Sequence, residues 1–195
     1  MNVAVRGLSI ERGGWRLFEN LAFTAAAAEH VALTGPNGAG KTSLLRAIAG
    51  FLRPSAGEIT FAGTPDGHES QIHFVGHRDG LKGTIDARAH IRFWANVLGG
   101  DAGADSLIER LGLTRVADLP ARTLSAGQGR RLALARLLVA PRPVWLLDEP
   151  AAALDADGKA LLNGMIDAHR ADGGIVIAAV HEPLGAPSQT IELGR

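Results

Sequence analysis

Gly35-Pro36-Asn37-Gly38-Ala39-Gly40-Lys41-Thr42 decides how the rest of this chain is read. The stretch fits the spacing G-x-x-x-x-G-K-[ST] of a phosphate-binding P-loop. The apolar run Val31-Ala32-Leu33 leads into it as a buried strand, and the residues from Ser43 follow as a helix closed by Gly50. The glycines therefore sit in a strand-to-helix turn, where Gly35, Gly38 and Gly40 let backbone N–H groups converge on an anion. The amino end of the helix adds unpaired donors and the positive end of its dipole. Lys41 is placed to reach the β- and γ-phosphates of a nucleotide, and the Thr42 hydroxyl to ligate Mg²⁺. A glycine-rich turn with a chance lysine is the competing reading, and the flanking strand and helix weigh against it.

Upstream, Val3 to Ile10 and Trp15 to Phe23 read as strands joined by the turn Glu11–Gly14, forming a small antiparallel sheet over the nucleotide base. Trp15 is the candidate to stack on adenine, with Arg12 as a cation–π alternative; plain packing of Trp15 in the sheet competes. Downstream, Glu58–Phe61 and Gln71–Val75 are short strands separated by a polar loop, and Gly76–Gly83 reads as a mobile connection. From about Arg78 to Arg122 there is no strand signal. Ile85, Ala89, Phe93 and Val97 recur at helical spacing, Gly99 and Gly100 close that helix, and Asp105–Leu111 makes a shorter one. Phe93 and Trp94 point about 100° apart on a helix, so one of them is expected near the surface beside the glycine-rich connection.

Strand signals return at Val144–Leu147 and Ile175–Val180, with helical periodicity between them and an edge strand at Thr190–Leu193. The expected fold is an α/β P-loop NTPase: a mainly parallel sheet, an N-terminal antiparallel β region and an inserted helical subdomain at about 78–122, in a single domain over 1–195. Ligands in such sheets sit beyond the carboxyl ends of the strands. Gly35, Asp148 and His181 all fall there.

Asp148 follows a buried strand opposite the P-loop, where it can hold Mg²⁺ directly or through water. Glu149, one residue on, can polarise the water that attacks the γ-phosphate. His181 can hold Glu149 and that water in line. Ser125-x-x-Gln128 is a capping box that opens a helix, and a helix amino end is a second place for an anion. One P-loop with a second phosphate-type helix end suggests that two chains share a nucleotide. An ordinary cap is the competing reading.

In this order the motifs resemble the ATP-binding subunit of ABC transporters. Leu124-Ser-Ala-Gly-Gln128 is similar to that family's signature, with Ala126 where glycine is usual; Leu146–Glu149 is similar to its Walker B strand, Ala153-Leu-Asp155 to its D-loop and His181 to its switch histidine. The resemblance covers nearly all of the chain. It implies that Gly35, Pro36, Asn37, Gly38, Ala39, Gly40, Lys41, Thr42 and Ser43 bind ATP. Glu149 and His181 are then catalytic, and Thr42 and Asp148 ligate Mg²⁺. A head-to-tail homodimer would bring Ser125, Gly127 and Gln128 to the ATP of the partner. His77 stands where the family carries a glutamine that meets Mg²⁺. The usual adenine-stacking tyrosine has no counterpart, because the chain has no tyrosine. Gly76-His77-x-x-Gly80-x-Lys82 together with His181-Glu-Pro-Leu184 resembles a narrower family, the haem-exporter ATP-binding subunits of cytochrome c maturation. That family implies membrane-spanning partner subunits and a place on the cytoplasmic side of the inner membrane.

Composition bounds these readings. The chain has 195 residues, with Lys+Arg 20 against Asp+Glu 20, so no basic stripe calls for nucleic acid. There is no cysteine, hence no disulfide and no thiolate chemistry. No apolar run approaches the ~20 residues that span a bilayer, and the first residues lack a secretory pattern. A membrane link would go through a partner. The alternatives are another small-molecule exporter, a soluble ABC ATPase, a small-molecule kinase and a nucleotide-dependent scaffold. The kinase would leave Leu124–Gln128 and His181 without a role.

Overall fold

The computed structural model describes residues 1–63, 72–100, 103–182 and 184–194. Most of the expected polar loop, Gln71 and Pro183 lie outside the described residues. In chain order the elements are β1 (Asn2–Arg12), β2 (Trp15–Ala26), β3 (His30–Thr34), α1 (Lys41–Ile48), β4 (Ala56–Ala62), β5 (Ile72–Val75), α2 (Ala87–Leu98), α3 (Ala104–Arg110), α4 (Ala126–Leu134), α5 (Arg136–Val139), β6 (Val144–Asp148), α6 (Ala156–Ala171), β7 (Ile175–Ala179) and β8 (Gln189–Glu192).

The strands form two sheets. One is antiparallel, in the order β2-β1-β4. The other is parallel throughout, in the order β5-β6-β7-β3-β8, with β8 at an edge. The continuous apolar runs of β3, β6 and β7 follow from burial on both faces, since alternate side chains go to opposite sides. Val31, Leu33, Val144, Leu146, Ile175 and Ile177 pack with Leu44, Leu45 and Ile48 of α1 and with Val3, Val5, Leu8 and Ile10 of β1. Ala32, Trp145, Leu147, Val176 and Ala178 face the other way, onto α6 and the helices between β5 and β6.

The antiparallel β region, the parallel sheet and the edge strand are as expected. The helices differ in extent. The helix expected to open at Ser125 is α4, and α5 continues it to Val139. Asp86 caps α2 by accepting a hydrogen bond from the Ala89 N–H, so the helix starts at Ala87, two residues past Ile85. The connection Gly76–Gly83, expected to be mobile, is tied down. Arg130 donates to the Gly76 carbonyl, Arg136 to the Asp79 carbonyl, and the Lys82 N–H to Nε2 of buried His90. Phe93 is 56 % exposed and Trp94 8 % exposed. Trp94 is therefore a core residue beneath the Arg136 guanidinium, 4.7 Å from its ring centre, and Phe93 is the exposed aromatic of the pair.

Candidate active site

The loop between β3 and α1 closes on itself. Lys41 is buried, and its Nζ donates to the carbonyl oxygens of Gly35 at 2.7 Å and Pro36 at 3.0 Å. A side chain at Gly35 would place its Cβ 2.2 Å from the Leu193 carbonyl oxygen, at a φ of +125°. Glycine there lets the loop pass over the end of β8; the close approach is to protein backbone. A cleft of about 300 Å³ opens above the loop, with Arg12, Asn37, Gly38, Lys41, Thr42 and Glu149 on its walls. Arg12, and not Trp15, lines it; Trp15 is 79 % exposed on its hairpin. Of the two candidates for the base, the structure brings Arg12 to the site.

The Thr42 hydroxyl lies 3.0 Å from both carboxylate oxygens of Asp148, whose side chain is buried at the end of β6. A hydroxyl beside a carboxylate is an all-oxygen donor pair that suits Mg²⁺, an ion that takes few protein ligands and completes its shell with phosphate and water. Among the described residues no cluster of three His, Cys, Asp or Glu competes for a metal.

Glu149 stands one residue beyond the strand, in a left-handed conformation with φ +49°. Its N–H donates to the Ala179 carbonyl of β7 at 2.9 Å. Its carboxylate is held from two sides, Oε1 at 3.0 Å from His181 Nε2 and Oε2 at 3.2 Å from His77 Nδ1. His181 thus meets Glu149 from the end of β7. His77, read as a possible Mg²⁺ neighbour, is brought to Glu149 and has no contact with Thr42 or Asp148 among the bonds described.

Ser125, Gly127 and Gln128 do not line the cleft of their own chain. Ser125 Oγ accepts from the Gln128 N–H and Gln128 Oε1 from the Ser125 N–H, so the capping box is complete. Ala126 is the first residue of α4 and exposed, so its methyl group meets no crowding. Gly127 is different: a Cβ there would lie 2.9 Å from the Ala153 carbonyl oxygen.

A larger cleft, about 470 Å³, lies at the amino ends of β6 and β7, with Pro143, Trp145 and His169 among its walls. The chemistry is not there. Its position is opposite to where α/β sheets place ligands, and none of the P-loop, Asp148 or Glu149 reaches it.

An ABC transporter family model matches residues 18–152. The chain belongs to the ABC transporter family. It is an ATPase of that family. It is 50% identical over 192 residues to the Cytochrome c biogenesis ATP-binding export protein CcmA of Rhodopseudomonas palustris (strain BisB5), covering 97% of this chain and 96% of the relative. It is 46% identical to the protein of the same name from Nitrobacter winogradskyi, covering 100% and 98%. A solved ATP binding subunit of an ABC transporter shares its fold, with a TM-score of 0.87 over 99% of this chain and 86% of that one at 22% identity.

One residue of this site escapes a reading of motifs. Arg130 is buried in α4 and donates to the backbone of the Glu149 turn. The signal was present: Arg130 shares one helical stripe with Ala133 and Leu134, so a charge sits on the face that goes inward.

Proposed function

We propose that this chain is the ATP-hydrolysing subunit of the haem exporter of cytochrome c biogenesis, working as a homodimer bound to membrane-spanning subunits on the cytoplasmic side of the inner membrane. The observation that carries the chemistry is the carboxylate of Glu149 between His77 and His181, on the same cleft as Lys41 and Thr42. The similarity to relatives named for export in cytochrome c biogenesis supports the pathway.

In this reading the loop from Gly35 to Ser43 takes the phosphates on its N–H groups. Lys41 exchanges its two carbonyl partners for phosphate oxygens. Thr42 and Asp148 hold Mg²⁺, which when bound neutralises charge on the phosphate oxygens. Glu149 accepts a proton from the attacking water as the new O–P bond forms and the bond between the γ-phosphorus and the bridging oxygen breaks. His181 keeps the carboxylate aimed. Ser125, Gly127 and Gln128 serve the nucleotide of the partner chain. A Ser125→Arg chain and a Lys41→Ala chain, each inactive alone, are expected to regain turnover when mixed, because one intact site forms in the mixed dimer. Mixed dimers without turnover at any ratio would contradict the shared site.

The membrane partner has a candidate seat. A groove of about 490 Å³ is lined by Phe51, His73, Phe74, Trp94, Leu98 and Arg136. Phe51 is 71 % exposed, and its ring meets Phe74 edge-on at 5.7 Å. An exposed aromatic on a concave apolar floor suits a short amphipathic helix from a membrane subunit. Phe51→Glu is expected to release the chain from membranes that contain the partner while ATP binding persists. Unchanged sedimentation with those membranes would move the seat elsewhere.

A further inference from the structure

We propose that Arg130 is a positioning residue for Glu149, and that it carries the state of the amino end of α4 to the general base of its own chain. The proposal rests on the readings of Glu149 as general base and of Ser125 as a contact to the partner's nucleotide.

Arg130 is 2 % exposed, and each of its five N–H groups has a partner. Nε donates to the Pro150 carbonyl at 3.0 Å. Nη2 donates to the carbonyls of Asp148 at 3.0 Å and Glu149 at 2.8 Å. Nη1 donates to the Gly76 carbonyl at 2.9 Å and to Asp79 Oδ1 at 3.0 Å. Three consecutive carbonyls of the turn thus converge on one guanidinium. No other side chain offers five donors in a fixed plane; a lysine has three and no fork.

The turn needs that hold. Glu149 is a non-glycine residue in the left-handed region, a conformation that persists only where the surroundings over-determine it. Its N–H is fixed by Ala179 of β7 and its carbonyl by Arg130. The same guanidinium fixes Gly76, and the next residue, His77, reaches Oε2 of Glu149. Arg130 therefore sets both the base and one of its two histidine partners without touching a reacting atom.

Arg130 also stands five residues after Ser125 on one helix, about 7.5 Å along its axis. A shift of that amino end on engaging the partner's nucleotide moves the anchor of the Glu149 turn with it. A displacement near 1 Å at a reacting group costs about 100-fold in rate. Occupancy of one site thereby adjusts hydrolysis at the other.

The test uses the full-length chain with Arg130→Lys, alone and combined with Glu149→Gln, reading kcat, KM, equilibrium ATP affinity and the Hill coefficient. Arg130→Lys is expected to lower kcat about 10–100-fold, with ATP affinity changed less than about threefold. The Hill coefficient should fall toward about 1. In the Glu149→Gln background Arg130→Lys should cost less than about twofold more, because it acts through a base already absent. A kcat within threefold of the unsubstituted chain, or an equal loss in both backgrounds, would overturn the proposal; the second result would mark a purely structural residue. Should Arg130→Lys fail to fold, Asp79→Asn decides: it weakens one of the five bonds and should give the same split between kcat and affinity at about 3–10-fold. Equal loss of kcat and affinity in Asp79→Asn would overturn it. Near-normal turnover in Glu149→Gln alone would instead remove the general base on which the proposal rests.

Discussion

Lys41 finds both of its acceptors in its own loop, at Gly35 and Pro36, whereas Glu149 is held by residues from four other places in the chain, His77, Arg130, Ala179 and His181. The two halves of one site are thus built in different ways. The phosphate loop is mostly a local structure: a strand, a backbone loop with glycines at 35, 38 and 40, and a helix end. The Glu149 turn is a convergence of α4, β7 and the segments beyond β5 and β7. A local device tolerates movement elsewhere. A convergent one responds to it, and in a machine that couples hydrolysis to partners the step to control is hydrolysis.

The largest effect that would break this contrast concerns the loop. Beside the approach of Gly40 to Phe18 and the bond of Thr42 to Asp148, it has a backbone constraint, the passage of Gly35 over Leu193. Gly35→Ala must move that backbone and hold alanine at positive φ, so we expect a loss of about 4 kcal/mol or more. In a chain of this size that is a fall in Tm of roughly 8–16 °C, together with lost ATP binding. A Gly35→Ala protein with unchanged Tm would show that the loop is not constrained at its end.

A smaller effect probes the strands beneath both halves. His30 begins β3, which feeds the loop, and His73 lies on β5, which leads to His77. Both are buried and lowered to about 4. Burial is the main cause in each; Arg170 adds to it at His30, and the bond of His73 Nε2 to the Ala140 carbonyl opposes it. His169, stacked on Trp145, is lowered by burial too. The sign follows from linkage. A folded-state pKa below the unfolded value of about 6.5 means that the unfolded chain binds more protons between pH 6.5 and 4. The stability these histidines permit is complete above pH 6.5 and is lost as pH falls toward about 4. We expect on the order of 3 kcal/mol for each of His30 and His73 over that window. Urea midpoints measured from pH 8 to 5 should be level above 6.5 and fall below it; a rise on acidification would contradict the burial of neutral rings.

Legibility in the sequence follows the same division. Gly35–Thr42 and the capping box of Ser125 and Gln128 are each set by residues within a few positions, and the apolar run of β6 that ends at Asp148 is visible in its own residues. So is the parallel sheet, since runs buried on two faces are visible in β3, β6 and β7, whereas long-range pairing decides that β4 joins β1 in the antiparallel sheet. What long-range contact decides was hidden. Nothing near Gly76–Gly83 announces that Arg130 and Arg136 tie it down, so its glycines read as mobility. The adjacency of Phe93 and Trp94 told that one would face outward, but only the packing of Arg136 on Trp94 told which. His77 stood at a motif position, and its partner turned out to be the Glu149 carboxylate.

The most direct measurement compares ATP binding and ATP turnover in Lys41→Ala and Glu149→Gln. The division of labour between the self-held loop and the convergent turn predicts that Lys41→Ala loses both. Glu149→Gln should keep ATP affinity within a few-fold while kcat falls about 10²–10⁴-fold, the worth of a general base. A Glu149→Gln chain that turns over ATP at near-normal rate, or that loses affinity as fully as Lys41→Ala, would contradict it.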